Sequence, residues 1–238
     1  MKSKSDFFQF KKFVVYHHQS SMKVGTDAVL LACYIPYQNA NKILEIGCGS
    51  GVISLVMAQL CSAQIQAIDI HKSSVVQAKE NFKISPWSNR LKASLVSFQD
   101  FALNGMEKFD HIISNPPFFQ NSMKSPSDQR NLARHTDTLL FLEMIEASLL
   151  LLNDKGMLSV ILPMVEGQGF EEIALQKGFS LHQKVLIYPK PERAPNRVVL
   201  SFGLFKKDCE TKELIIRLQN NEYSENYKEL TKDFYLAF

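Results

Sequence analysis

The sequence predicts an α/β fold: a doubly wound, seven-stranded, mostly parallel sheet that ends in an antiparallel hairpin. Short runs rich in Ile and Val alternate with longer segments of helical periodicity, the pattern of strands joined by crossover helices. A glycine-rich turn, Gly47-Cys48-Gly49-Ser50-Gly51, stands where the first strand should hand over to the first helix. Two late strands are joined by a polar segment holding Pro189, Pro191 and Pro195, with no room for a helix. They must pair antiparallel, because a parallel return needs a crossover of roughly a dozen residues or more.

Taken in order, the strands are expected at Lys42–Ile46, Ile65–Ile70, Leu91–Val96, Phe109–Ser114, Met157–Leu162, Ser180–Tyr188 and Val198–Phe205. Helices fall between them at Val52–Leu60, Ser73–Phe82, Leu139–Leu152 and Phe170–Gln176. Residues 1–40 are rich in aromatics and Lys and are expected to pack over the carboxyl edge of the sheet, where ligands bind in open α/β folds. Residues 206–238, charged and then aromatic, read as a helical C-terminal appendage to a single domain spanning 1–238. A chain of 238 residues has length enough for one large core.

Composition is that of an ordinary globular protein, which argues against disordered and fibrous classes. No apolar stretch is long enough for a membrane span, and the polar start lacks a secretory signal's apolar centre, so a cytoplasmic location is expected. Cys33, Cys48, Cys61 and Cys209 show no CxxC pairing and no His at zinc spacing, so free thiols and no metal are expected. The formal net charge of +3 neither requires nor excludes a polyanionic partner.

The glycine turn allows backbone to approach a nucleotide-like ligand at Gly47, Gly49 and Gly51. A dinucleotide fingerprint would place its third glycine at position 52, where this chain has Val52, so the loop suits a ligand without a pyrophosphate. Glu45 precedes the glycines, where a carboxylate favours a cation such as the ammonium or sulfonium of S-adenosylmethionine. Asp69 ends the second strand, the position from which a carboxylate takes both ribose hydroxyls of a nucleoside. The structural alternative for Asp69 is an N-cap of the next helix, a place Ser73 would fill as well.

Ser114-Asn115-Pro116-Pro117-Phe118-Phe119 follows the fourth strand and is the most specific feature of the sequence. Two prolines fix φ and remove two backbone donors, leaving a rigid turn with aimed carbonyls. The Asn115 side-chain oxygen and a proline carbonyl can each accept one proton of an NH2 group, while Phe118 stacks on the base that bears it. An exocyclic amine conjugated to its ring is a poor nucleophile. Acceptors placed out of the ring plane favour a pyramidal nitrogen with its lone pair free for attack. The structural alternative is a proline turn with Phe118 and Phe119 as packing residues.

These residues resemble the class I methyltransferase superfamily, in its subgroup of amino-group methyltransferases with an Asn-Pro-Pro-aromatic motif. Phe10, Phe13, Met22–Leu31, Leu44–Gly47, Ile112–Pro117, Ala133–His135 and Asp233–Leu236 further resemble the bacterial tRNA1(Val) adenine-N6-methyltransferases, which modify the adenine beside the anticodon, position 37. The resemblance implies S-adenosyl-L-methionine as cofactor, Asn115 to Phe118 as the amine site with Asn115 also against the cofactor, and Thr26 or Asp27 near the cofactor's methionine end. Many relatives carry an Asp after the third strand for the cofactor adenine. Ser97 stands at that position here, with Phe98 beside it as the ring expected against the adenine.

A tRNA partner calls for phosphate contacts, for which Lys23, Arg134, Arg193 and Arg197 are the candidates in segments flanking the expected edge. For any one of them an ordinary surface cation is the plain alternative. His17, His18 and His135 read as structural rather than catalytic. The same turn serves enzymes that methylate guanine N2 of rRNA or a protein glutamine, and a non-catalytic RNA-binding protein on this fold is a third possibility. The usual extra domains of the first two are not found in the sequence, and intact Glu45, Asp69 and Asn115 argue against the third. A monomer is expected.

Overall fold

The computed structural model describes residues 6–20, 23–105, 107–116 and 128–238, with 128–139 as helix backbone. A hairpin of β1 (Phe7–Gln9) and β2 (Val14–Tyr16) leads into α1 (Thr26–Tyr34). There follow β3 (Lys42–Ile46), α2 (Val52–Leu60), β4 (Gln64–Asp69), α3 (Lys72–Ile84), β5 (Leu91–Leu95), α4 (Phe98–Asn104) and β6 (Phe109–Ser114). The second half comprises α5 (Asp128–Leu151), β7 (Leu152–Pro163), α6 (Met164–Gln176), β8 (Ser180–Tyr188), β9 (Arg197–Gly203), β10 (Glu210–Ile215) and α7 (Glu225–Thr231).

The main sheet runs β10-β8-β9-β7-β6-β3-β4-β5. All its pairs are parallel except those of β9, which lies antiparallel between β7 and β8. Both faces are covered, and the strands show why: successive residues serve opposite cores. Ile43 and Ile113 join Val29, Leu55 and Val75 of α1 to α3, whereas Leu44 and Ile112 join Phe141 and Phe170 of α5 and α6. A strand buried on both faces reads as a continuous apolar run. Each such side chain contributes roughly 1.5–3 kcal/mol on leaving water.

Among the described residues the sheet has eight strands, one more than the seven expected. Residues 206–238 are not wholly helical either, because β10 occupies Glu210–Ile215 before α7 begins. Only Leu214 of β10 is buried, and the strand opens Glu-Thr-Lys-Glu, as befits a sheet edge that must not invite another chain. An apolar pattern cannot reveal such a strand. α4, seven residues long, and α1 were likewise unread, while α5 and α6 begin earlier than periodicity indicated.

Segment 1–40 divides in two. The β1–β2 hairpin sits beside α3, where the Tyr16 amide donates to Asn81 Oδ1 at 2.9 Å and Asn81 Nδ2 donates to Tyr16 O at 2.8 Å. At the carboxyl edge of the sheet, Lys23 and Gly25 to Ala28 line a cavity, and the Ser20 hydroxyl lies beside Gly49. That edge contains a topological switch: β3 steps to β4 and β5 on one side, and β6 returns to the other side of β3. Ligands of open α/β sheets bind in the crevice such a reversal creates.

Candidate active site

The turn after β3 is wound by three left-handed glycines, Gly47, Gly49 and Gly51, at φ of 71°, 52° and 79°. The amides of Gly47 and Cys48 donate to Ile68 O at 2.9 and 3.0 Å, and Gly49 N donates to Asp69 Oδ2 at 2.9 Å, so β4 holds the loop in shape. Gly51 is different from the other two. It is the N-cap of α2, and a Cβ there would lie 2.5 Å from Phe82 Cε1, so its absent side chain lets α2 approach α3 rather than a ligand.

Glu45 is wholly buried. Its Oε2 accepts from the Ser54 amide at 3.0 Å and from the Ser54 hydroxyl, closing the first turn of α2 from the adjacent strand. Its Oε1 has no partner among the described residues. Burial pushes this carboxyl up to about 8, against the two Ser54 hydrogen bonds, with the nearby Asp69 adding to the rise. A cation brought beside Oε1 would reverse that shift.

Asp69 is not an N-cap. α3 is preceded by His71, whose amide donates to Asp69 Oδ1 at 2.8 Å, and Ser73 lies inside the helix. The carboxylate thus ties the β3 loop to the β4 loop and, with about four lone-pair sites, retains acceptor capacity.

At the end of β6 the Ser114 hydroxyl donates to Ile46 O at 3.0 Å, locking the two strand ends of the switch together. Asn115 follows, its Oδ1 buried and unpartnered among the described residues, then buried Pro116. Pro117 and Phe118 lie outside the described residues.

Two cavities meet here. The first, about 270 Å³, is a slot walled by Ile46, Ile68, Ile70, Val96, Phe98, Leu140, Phe141 and Met144, with Asp69, His71 and Gln99 at its polar margin. The second, about 240 Å³, is lined by Lys23, Gly25, Thr26, Asp27, Glu45, Ser50 and the loop backbone. Gly47, Gly49 and Asn115 belong to both. An apolar slot with a carboxylate at its side suits a nucleoside, and a polar chamber backed by Glu45 suits a charged tail.

Most residues singled out in the sequence therefore converge: Thr26, Asp27, Glu45, Gly47, Gly49, Asp69, Phe98, Asn115 and Pro116 all line these cavities. Gly51 and Ser97 do not. Ser97 caps α4, its Oγ accepting from Asp100 N at 3.0 Å and donating to Asp100 Oδ2 at 2.7 Å. Lys23 is exposed on the rim of the second cavity and Arg193 is exposed in the β8–β9 connection. Arg197, considered for RNA, donates through Nε at 2.9 Å to Oδ2 of Asp27, which lines the second cavity. The side chain of Arg134, on α5, lies outside the described residues. Ile70, His71, Leu140, Phe141 and Met144 were missed. Of these, Ile70, two-thirds exposed directly after the last residue of β4, is the one whose position gives a signal in the sequence.

Solved structures that share this fold include methyltransferases. A predicted O-methyltransferase from Agrobacterium tumefaciens superposes with a TM-score of 0.71 at 18% identity, over 87% of this chain and 96% of that one. A glycopeptide N-methyltransferase complexed with S-adenosyl-L-methionine gives 0.58 at 10% identity, over 78% and 96%. The fold, with its glycine turn after β3 and its Asn-Pro turn after β6, defines a class I methyltransferase. Residues 15–186 match the methyltransferase small domain family. Relatives named tRNA1(Val) (adenine(37)-N6)-methyltransferase are 41% identical in Bacteroides fragilis, over 97% of this chain and 98% of the relative, and 38% in Histophilus somni, over 99% and 100%. The chain belongs to the tRNA1(Val) (adenine(37)-N6)-methyltransferase family.

Proposed function

We propose that the protein transfers a methyl group from S-adenosyl-L-methionine to N6 of adenine 37 in tRNA1(Val), the substrate its relatives' names give for them. The observation that carries this is Asn115: a buried amide oxygen without a protein partner among the described residues, at the junction of a nucleoside-sized slot and a polar chamber.

The residues present fit the cofactor. Glu45 Oε1 is a second buried acceptor without a partner among the described residues, in the lining of the polar chamber, and Gly47 and Gly49 add no side chain of their own to the junction. Glu45, Thr26 and Asp27 would hold the amino-acid end, Asp69 the ribose hydroxyls, and Phe98 with Ile70 the adenine. When bound, S-adenosylmethionine supplies an electrophilic methyl group on a sulfonium. The protein's part is to prepare the acceptor. Asn115 Oδ1 accepts one proton of the exocyclic amine and the carbonyl of a turn proline accepts the other, favouring a pyramidal nitrogen with its lone pair exposed. Phe118 is assigned the stacking face for the base. No base is needed before attack, because the methylated nitrogen sheds its proton afterwards. An adenine in an anticodon loop is already unpaired, so turning it into a pocket costs less than extracting one from a duplex. Lys23, Arg134, Arg193 and Arg197 are the phosphate contacts of this reading.

Incubation with labelled cofactor and total tRNA from a strain lacking the gene, followed by digestion to nucleosides, should yield label in N6-methyladenosine. Label in a methylated guanosine, or none, would overturn the assignment.

A further inference from the structure

The second half of α3 buries two amide side chains where an amphipathic helix would place apolar ones. Asn81 is wholly buried, and so is Gln77, one turn before it on the same face. A buried amide costs free energy unless its groups are paired, so the partners of these two reveal what they hold.

Asn81 uses both of its N–H groups. Nδ2 donates to Tyr16 O and to Ser50 O, each at 2.8 Å, while Oδ1 accepts the Tyr16 amide at 2.9 Å. Tyr16 closes β2, and Ser50 stands in the glycine turn and lines the polar chamber. One side chain therefore joins the N-terminal hairpin, α3 and the loop of the cofactor site. Gln77 takes hold further along the chain, its Oε1 accepting the Gln19 amide at 3.2 Å and its Nε2 donating to Glu80 at 3.2 Å. Beyond Gln19, the Ser20 hydroxyl lies 3.5 Å from where a Gly49 Cβ would stand. The chain from Tyr16 to Ser20 is thus a strap laid along α3 toward the carboxyl edge of the sheet. A few residues on, Lys23 and Gly25 to Ala28 line the chamber.

Ser50 is where such a grip matters to a ligand. Within the turn, the amides of Gly47 and Cys48 go to Ile68 O, that of Gly49 to Asp69 and that of Gly51 to Cys48 O at 2.7 Å. The Ser50 amide has no acceptor among the described residues, which makes it the turn's remaining donor in a chamber suited to a charged tail. The next peptide, between Ser50 and Gly51, is held at both ends, its N–H by Cys48 O and its C=O by Asn81 Nδ2. Without Asn81 the carbonyl of a residue only 4% exposed would lose that partner. Left-handed glycines on either side, Gly49 and Gly51, would then let the peptide turn.

We infer that Asn81 is a positioning residue for S-adenosylmethionine: it fixes Ser50 in the chamber and fastens the Tyr16–Ser20 strap to the same loop, so that cofactor binding and strap docking support each other. The inference rests on the cofactor part of the reading given above and not on the tRNA. The tip of the hairpin is held separately, by Phe10 and Phe13 stacked at 4.5 Å within the core, so the strap alone should respond to the cofactor.

Calorimetry of the whole protein with S-adenosylmethionine comes first; no binding by the wild type would sink the cofactor reading and this inference together. Given binding, Asn81→Asp keeps an acceptor for the Tyr16 amide and loses both donors. Its Kd should rise about five- to twentyfold, the net worth of one to two hydrogen bonds. Linkage requires the reciprocal effect. In the wild type, saturating cofactor should slow hydrogen exchange at the Tyr16 and Gln19 amides by about the same factor. The Phe10 amide, which donates to Phe13 O at 2.9 Å inside the tip, should be unchanged. A wild-type Kd in a folded Asn81→Asp would reduce Asn81 to a purely structural tie. Equal slowing at all three amides, or none, would make strap and cofactor independent. Either result overturns the inference and leaves the cofactor assignment standing. Should Asn81→Asp fail to melt cooperatively, exchange in the wild-type protein decides alone.

Discussion

The two cavities that meet at Asn115 are built in opposite ways. The polar chamber is lined by a few chemically distinctive residues from two short stretches, Lys23–Ala28 and Glu45–Ile53. The apolar slot draws on β3, β4, the β5–α4 junction, the end of β6 and α5. A charged or hydrogen-bonding ligand end is met by local geometry, because a glycine turn and one carboxylate suffice. A flat apolar ligand end is met by surface, and surface needs side chains from many elements. In the chamber a single substitution should therefore be severe, whereas in the slot it should be diluted among neighbours.

The sharpest way to break the comparison is at the residue both cavities share. Asn115→Ala should lower kcat by roughly 10²–10³, by analogy with losing one aimed hydrogen-bonding group at a transition state, while cofactor affinity by calorimetry stays within about twofold. Equal losses in both would move Asn115 from the amine to the cofactor.

Asp69→Ala comes next, since hydrogen bonds to a charged group contribute roughly 1.5–3 kcal/mol and cofactor KM should rise roughly tenfold or more. An unchanged KM would reduce Asp69 to the clamp between Gly49 and His71 that the structure already displays.

Glu45 sharpens the contrast through pH. Its folded value near 8 lies above the ordinary 4.5, so the ligand-free fold favours the protonated form. Its contribution to stability is complete below the ordinary value and is lost as pH rises through the folded one, so melting temperature should fall between about pH 4.5 and 8. A cationic ligand selects the ionised form, so affinity should instead rise over pH 6.5–8.5. Glu45→Gln should flatten both profiles; a slope in affinity that persists in the variant would locate the titrating group elsewhere.

The smallest effect is expected in the slot. Ile70→Ser trims one of many apolar walls on a residue already 66% exposed, and cofactor KM should rise by only about two- to fivefold. A loss rivalling that of Asp69→Ala would show that the slot depends on single contacts after all.

The same contrast explains what could be read in the sequence. Glycines, an acid before them, an acid at the next strand end and an Asn-Pro turn are rare types in constrained places, so Glu45, Gly47, Gly49, Asp69 and Asn115 were legible. Leu140, Phe141 and Met144 were not, because an apolar residue facing a cavity and one facing a core look alike in a helical pattern. Ser97 could be read two ways for a related reason: a hydroxyl after a strand is equally apt as a ligand contact and as a helix cap, and the hydrogen bond from Asp100 N three residues on gives it the cap. In the fold, strands buried on both faces were plain, whereas β10 hides behind its charges and α4 is too short to show a period.

β10 has one more implication. By lying along β8 it satisfies the outward main-chain groups of a nine-residue strand through six paired positions, from Gln183 to Tyr188. A protease nick in the 204–209 connection that let β10 drift away would leave β8 bare, and bare strands seek company. Storage and handling losses of this protein should then appear first as sheet-rich aggregates seeded at that flank, long before the catalytic crevice itself comes apart.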